Sequence, residues 1–166
     1  MKDKKTHLLI AGGTGFIGSN LAAKAIKKNW KVTSLSNDRP KSYRKIMGVK
    51  YLSLDITKKN EFKKLKGKYT YAINLSGYSS NLYNKKYQKK IYKSHVIGSL
   101  NLMNFFQRKD IKNFIQIGSS AEYGNAMYPQ KENNVCRPTN TYGTSKLIAT
   151  KHLLKLVKEK KFNGNV

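Results

Sequence analysis

Residues 11–18, Ala11-Gly12-Gly13-Thr14-Gly15-Phe16-Ile17-Gly18, constrain the fold of this chain more than any other stretch. An apolar run, His7-Leu8-Leu9-Ile10-Ala11, leads into it, and a helical pattern through Leu21, Ala22, Ala25 and Ile26 leads out. Its glycines therefore fall on a strand-to-helix turn. In such a turn Gly12 makes the tight bend, Gly15 lets the backbone approach a pyrophosphate, and Gly18 lets the helix lie close on the strand. Free N–H groups and the positive end of the helix then hold the anion. Glycines alone would equally make an ordinary loop; the strand before and the helix after argue against that.

Downstream, strand and helix patterns alternate. Val32–Leu35 reads as a strand broken by Ser36-Asn37-Asp38-Arg39-Pro40, and residues 49–56 as a third strand ending in Asp55-Ile56-Thr57. A helix is expected over 58–66, with Phe62 and Leu65 on its apolar side and Gly67 as its stop. A strand over 69–75 runs into Asn74-Leu75-Ser76-Gly77, whose small residues suit close passage beside a ligand. Residues 79–92 mix Lys, Tyr and Asn and lead into a helix over 86–107, on which His95 reads as a hydrogen-bonded core residue without a catalytic role. Phe114-Ile115-Gln116-Ile117 is a short buried strand before Gly118-Ser119-Ser120-Ala121-Glu122-Tyr123-Gly124, and a last helix opens at Thr141-Tyr142. This alternation predicts an α/β fold: one Rossmann-like, doubly wound parallel sheet with helices on both faces, spanning 1–166 as a single NAD(P)-binding domain.

The end of the second strand meets the adenosine ribose in such a fold. There an acidic residue accepts from the 2′-hydroxyl, whereas Arg accommodates a 2′-phosphate. Ser36 holds the strand-end position, Asp38 follows two residues later, and Arg39 and Lys41 lie close by. That neighbourhood tilts the cofactor expectation from NAD toward NADP, with Asp38 as the competing signal. Asp55 and Ile56 are expected beside the adenine, and Asn74, Ser76 and Gly77 along the cofactor.

Tyr142 and Lys146 are four residues apart and so share one face of the last helix. A free phenol, with a pKa of about 10, transfers protons poorly near neutrality, and a neighbouring ammonium favours the phenolate. The pair therefore suits acid/base work on a substrate hydroxyl, and a serine ending the preceding strand, Ser119 or Ser120, suits hydrogen bonding to the same oxygen. In a chain with 11 Tyr and 30 Lys such a pair arises easily by chance. The order of glycine turn, strand-end serine and Tyr-x-x-x-Lys gives it weight.

In that order the sequence resembles the extended short-chain dehydrogenase/reductase family, specifically its nucleotide-sugar epimerases and dehydratases. The resemblance rests on GGTGFIG at 12–18, Asp55-Ile56, Asn74 to Gly77, Gly118-Ser119-Ser120 running to Tyr123-Gly124, Pro138, and YGTSK at 142–146. It implies NAD or NADP held by Gly12, Gly15, Phe16, Ile17, Gly18, Ser36, Arg39, Asp55, Ile56, Asn74, Ser76, Gly77, Tyr142 and Lys146. It further implies Tyr142 as acid/base, Lys146 on the nicotinamide ribose, and a nucleotide-sugar substrate whose carbon gives up a hydride. A gapless count places the family's Ser/Thr at Ser119, with Ser120 as the alternative. The same count puts Ser120 and Ala121 where 4,6-dehydratases carry acidic residues, which favours epimerase or keto-sugar reductase; Glu122, one place away, is the counter-signal. His95 stands where relatives usually have Asn. Relatives also pair through helices corresponding to 86–107 and 142–158, implying a homodimer.

Family members continue with a further strand and the segments that bind the sugar nucleotide, whereas this sequence stops at Phe162-Asn163-Gly164-Asn165-Val166. The expectation is a cofactor domain lacking the C-terminal substrate-binding part, either truncated or an inactive remnant. The alternative from another class is a non-catalytic dinucleotide-binding or sensor module. The net charge of +26 would also suit nucleic acid. However, the basic residues are almost all Lys, spread over every segment, so no specific nucleic-acid partner is expected. No apolar run reaches a membrane span, no signal peptide precedes the first strand, and Cys136 is the single cysteine, so a cytoplasmic chain without metal or disulfide is expected.

Overall fold

The computed structural model describes residues 5–78, 85–125 and 129–166. Strand β1 (His7–Ala11) enters the glycine turn, helix α1 (Phe16–Lys27) leaves it, and β2 (Lys31–Ser36) and β3 (Val49–Ser53) complete the first half. Then follow β4 (Tyr71–Asn74), α2 (Lys85–Tyr92), α3 (Ser99–Gln107), β5 (Asn113–Gln116), α4 (Thr141–Lys158) and β6 (Gly164–Asn165). Among the described residues these strands form one sheet of order β3-β2-β1-β4-β5-β6, parallel at every pairing. The chain crosses from one half to the other between β1 and β4, the switch point beside which ligands bind in open α/β sheets.

Alternation along β1 explains why both faces carry helices. Leu8 and Ile10 point to one side and pack with Ala22 and Ala25 of α1, Val32 and Ile73. Leu9 and Ala11 point to the other and join Leu102, Met103 and Phe106 of α3, Phe114, and Ala149 and Leu153 of α4. A strand buried on both faces reads as an unbroken apolar run, as residues 8–11 do. Phe106, Phe114 and Phe162 extend the second core, with ring centroids 6.0 and 5.3 Å apart in turn, and so tie the residues before β6 to the sheet.

Two expected helices differ from expectation. The helix expected over 58–66 is a 3-10 segment, Lys59–Lys64. Phe62 and Leu65 are buried as its apolar positions require. The Glu61 carboxylate, however, accepts the Asp55 N–H at 3.1 Å and pairs with Lys64, so the short link is pulled back onto the end of β3 and the tighter turn fits. The helix expected over 86–107 is interrupted by a π-helical turn, Lys93–Gly98, between α2 and α3. Residues 79–84 of the Lys-, Tyr- and Asn-rich segment lie outside the described residues.

Candidate functional site

The glycine turn is held by its surroundings. Gly12 has φ +82°, a left-handed conformation that side chains avoid, and a Cβ there would lie 2.8 Å from the Leu75 carbonyl carbon. Its N–H donates to the Leu35 carbonyl at 2.8 Å, fixing the turn to β2. A Cβ on Gly18 would meet the Gly12 oxygen at 2.4 Å, so the missing side chain is what lets α1 close on the turn. Helix α1 begins at Gly15 with no side-chain cap and no acidic residue in its first turn. Its first-turn N–H groups are therefore left without a side-chain acceptor, and no carboxylate sits among them.

Above the turn, at the switch point, lies a cleft of about 350 Å³. Gly12, Thr14 and Gly15 form its floor, Ser36, Asn37 and Asp38 one end, Asp55 and Ile56 a side, and Ser76, Gly77 and Tyr78 the opposite wall. Of the residues expected at the cofactor, Gly12, Gly15, Ser36, Asp55, Ile56, Ser76 and Gly77 thus come together. Gly18 acts from behind, through packing. Phe16 and Ile17 are 87% and 62% exposed on the outer side of α1 and do not line the cleft. Arg39 is exposed and outside the lining, whereas Asp38 is part of it. Thr14 Oγ1 and Ser36 Oγ are 2.8 Å apart and tie the glycine turn to the end of β2.

Asn74 is buried behind the wall rather than in it. Its amide donates to Ser99 Oγ at 3.0 Å and to Gln116 Oε1 at 2.9 Å, while its oxygen accepts the Ser76 N–H at 3.1 Å. It couples β4, α3 and β5 to the Ser76-Gly77 turn, so its place is structural.

The strand-end serines and the Tyr-x-x-x-Lys helix also converge. Ser119 caps the 3-10 turn Ser120–Glu122: its hydroxyl accepts the Ala121 N–H at 3.2 Å, and Glu122 Oε1 accepts the Ser119 N–H at 2.8 Å. This capping box was legible as Ser-x-x-Glu, and sequence reasoning passed over it. Ser120 is exposed, Ser119 half-buried. The turn packs on the first turn of α4, where a Cβ on Gly143 would lie 2.3 Å from the Ala121 oxygen. Asn140 Oδ1 accepts the Gly143 N–H at 2.8 Å, which fixes the start of α4 and hence Tyr142. Lys146 is buried and its ammonium donates to the Ile117 carbonyl at the end of β5. Burial pushes the Lys146 ammonium down from its usual value, and the Glu122 carboxylate opposes that.

His95, set aside in the sequence, sits against this group. Its ring meets that of Tyr142 edge to face, centroids 5.1 Å apart at 88°. Burial first, then the Lys146 ammonium, push its imidazole from 6.5 down to about 4, against the pull of the Tyr78 carbonyl. The folded chain thus binds this proton less readily than the unfolded one. Stability is therefore full above pH 6.5 and falls as the pH drops toward 4. Urea unfolding at pH 7 and pH 5 should differ by about 2 kcal/mol through His95 alone, a difference that His95→Gln removes. His7 and His152 are pushed the same way by burial and add to the trend in both chains.

These features define a Rossmann-like domain with a cleft at its switch point and a Tyr-x-x-x-Lys helix beside it. The chain belongs to the NAD-dependent epimerase/dehydratase family, whose model matches residues 8–165. It is 27% identical over 163 residues to the UDP-glucose 4-epimerase of Pasteurella multocida, covering 91% of this chain and 48% of that protein. It is 23% identical over 152 residues to the UDP-glucose 4-epimerase of Dictyostelium discoideum, covering 85% and 44%. Its fold matches that of the Thermotoga maritima UDP-glucose 4-epimerase solved with UDP-glucose, at TM-score 0.83 and 21% identity, over 96% of this chain and 53% of that one. The Thermus thermophilus UDP-glucose 4-epimerase solved with NAD gives 0.81 at 20% identity, over the same shares. The chain spans about half the length of these relatives. Among the described residues, no helix is long and apolar enough to cross a membrane.

Proposed function

We propose that this chain is the single cofactor domain, residues 1–166, of a nucleotide-sugar epimerase or keto-sugar reductase, and that the cleft takes NAD. The observation that carries the reading is that the uncapped glycine turn lines the cleft at the switch point, while His95, bonded to the Tyr78 carbonyl of the cleft wall, meets the ring of Tyr142 on the helix that also bears Lys146. Pyrophosphate fits the floor: no carboxylate occupies the first turn of α1, and a Cβ on Gly15 meets only the Gly12 oxygen, at 3.3 Å. NAD, when bound, accepts a hydride from a sugar carbon and can return it.

The chain's own residues do the rest. Tyr142 Oη takes the proton of the sugar hydroxyl whose carbon is oxidised and gives it back on reduction. Ser119 Oγ already accepts from Ala121, so its own hydrogen remains to bond the sugar oxygen; its half-buried place favours it over Ser120. Lys146, held by the Ile117 carbonyl, supplies positive charge one helical turn from Tyr142 and donors for a ribose. Glu122 is engaged in the capping box, and Ala121 offers no acid, which supports epimerase or reductase over dehydratase.

The lining supports NAD over the expected NADP, because Asp38, which lines the cleft, would accept from a ribose 2′-hydroxyl and repel a 2′-phosphate, while Arg39 stands outside. Titrating the chain with NAD and NADP tests this. NAD is expected to bind about tenfold more tightly, with the gap narrowing in Asp38→Ala and unchanged in Arg39→Ala. Tighter NADP binding that depends on Arg39 would restore the NADP reading, and binding of neither would sink the cofactor-domain reading.

A further inference from the structure

Two consecutive residues of the π-helical turn grip the wall of the cleft. Ser94 Oγ accepts the Tyr78 N–H at 3.0 Å, and His95 Nε2 lies 3.1 Å from the Tyr78 carbonyl oxygen. Because a carbonyl only accepts, Nε2 of His95 carries the hydrogen. The ring can lie there only because residue 77 is Gly: a Cβ on Gly77 would sit 2.0 Å from His95 Cε1. His95 is buried, and its ring also meets that of Tyr142 edge to face. Gly77, Tyr78 and Ser94 all line the cleft. One imidazole therefore joins the cleft wall to the tyrosine of α4.

We propose that His95 is a positioning residue for Tyr142, its ring fixing where the phenol stands relative to the cleft and its Nε2–H holding the Gly77-Tyr78 wall. The inference rests on the reading of Tyr142 as acid/base. Edge-to-face packing orders an aromatic ring, and misplacing a reacting group by about 1 Å can cost about 100-fold in rate. Two variants separate the two duties. His95→Gln keeps a donor for Tyr78 without the ring; His95→Phe keeps the ring without the donor.

The experiment is NMR of the full 166-residue chain with labelled His and Tyr, Tyr142 being assigned by its loss in Tyr142→Phe. Expected are a His95 imidazole protonated at Nε2 and a ring-to-ring contact with Tyr142. In His95→Gln the through-space contacts of the Tyr142 ring with residues other than 95 should change while NAD affinity stays within about twofold; in His95→Phe those contacts should persist and NAD affinity should fall severalfold. Sugar-driven reduction of NAD should drop about 10- to 100-fold in His95→Gln at unchanged NAD affinity. Tyr142 contacts unchanged in folded His95→Gln, or changed in His95→Phe, overturn the proposal. If His95→Gln does not fold, absence of the ring contact in the parent chain overturns it. None of the positional readouts needs turnover. Full turnover in Tyr142→Phe would thus defeat the acid/base reading while leaving the placement of Tyr142 by His95 separately decided.

Discussion

Gly18→Ala is expected to lower the melting temperature of the chain by roughly 6–12 °C and to abolish dinucleotide binding. The added Cβ would fall 2.4 Å from the Gly12 carbonyl oxygen and 2.7 Å from Gly13 Cα. Both are backbone atoms, so no side chain can swing aside. Either α1 withdraws from the turn, uncovering Ala22 and Ala25 in the core they share with Ile10 and Val32, or the turn itself deforms. Overpacking of this kind costs about 3 kcal/mol, which in a domain of this size gives the stated shift. Binding suffers more than stability, because a turn displaced by a fraction of an ångström no longer aims its N–H groups at one anion. Thermal melts followed by circular dichroism, with NAD titration of the folded fraction, check both parts. A variant that melts and binds like the parent would contradict the close approach of α1.

Tyr142→Phe is expected to leave the fold and NAD affinity within about twofold of the parent and to reduce hydride transfer from a nucleotide sugar by about 100- to 10,000-fold. The substitution removes only the hydroxyl. The ring still meets His95 edge to face, and the start of α4 remains capped by Asn140. What is lost is the atom proposed to take and return the sugar proton. The readout is absorbance of the reduced cofactor when parent and variant are mixed with NAD and a UDP-hexose. Equal rates, where the parent reduces NAD with the UDP-hexose, would remove Tyr142 from the chemistry. Loss of NAD binding in the variant would instead make the hydroxyl a cofactor contact.

The part of the fold read most directly from sequence was the part fixed by local chemistry. The apolar run at 7–11 and the spacing of Gly12, Gly15 and Gly18 predict a parallel strand entering a phosphate-type turn, and β1, the turn and α1 follow that order. Ser36, Asp55 and Gly77, from three different strand ends, reach one cleft because the switch point gathers them. What was illegible depends on packing at long range. The π turn at 93–98 has no signature in its residues; it is set where Ser94 and His95 both engage Tyr78. The helix expected at 58–66 gives way to a 3-10 segment because Glu61 reaches back to Asp55. Asp38 and Arg39 are neighbours in sequence, and only the course of the loop after β2 decides which of them lines the cleft.

The account depends most on the glycine turn holding a dinucleotide, and calorimetric titration of the 166-residue chain with NAD, beside its Gly15→Asp variant, tests that directly. A Cβ at position 15 meets only the Gly12 oxygen, at 3.3 Å, so the variant should fold while placing a carboxylate on the floor of the cleft. Because a net charge of +26 attracts any anion, the titration belongs at about 0.15 M salt, where the Debye length is about 8 Å. The account predicts stoichiometric NAD binding by the parent and affinity at least 100-fold weaker, about 3 kcal/mol, in the variant. A folded parent that binds no dinucleotide, or a variant that binds as tightly as the parent, would contradict it.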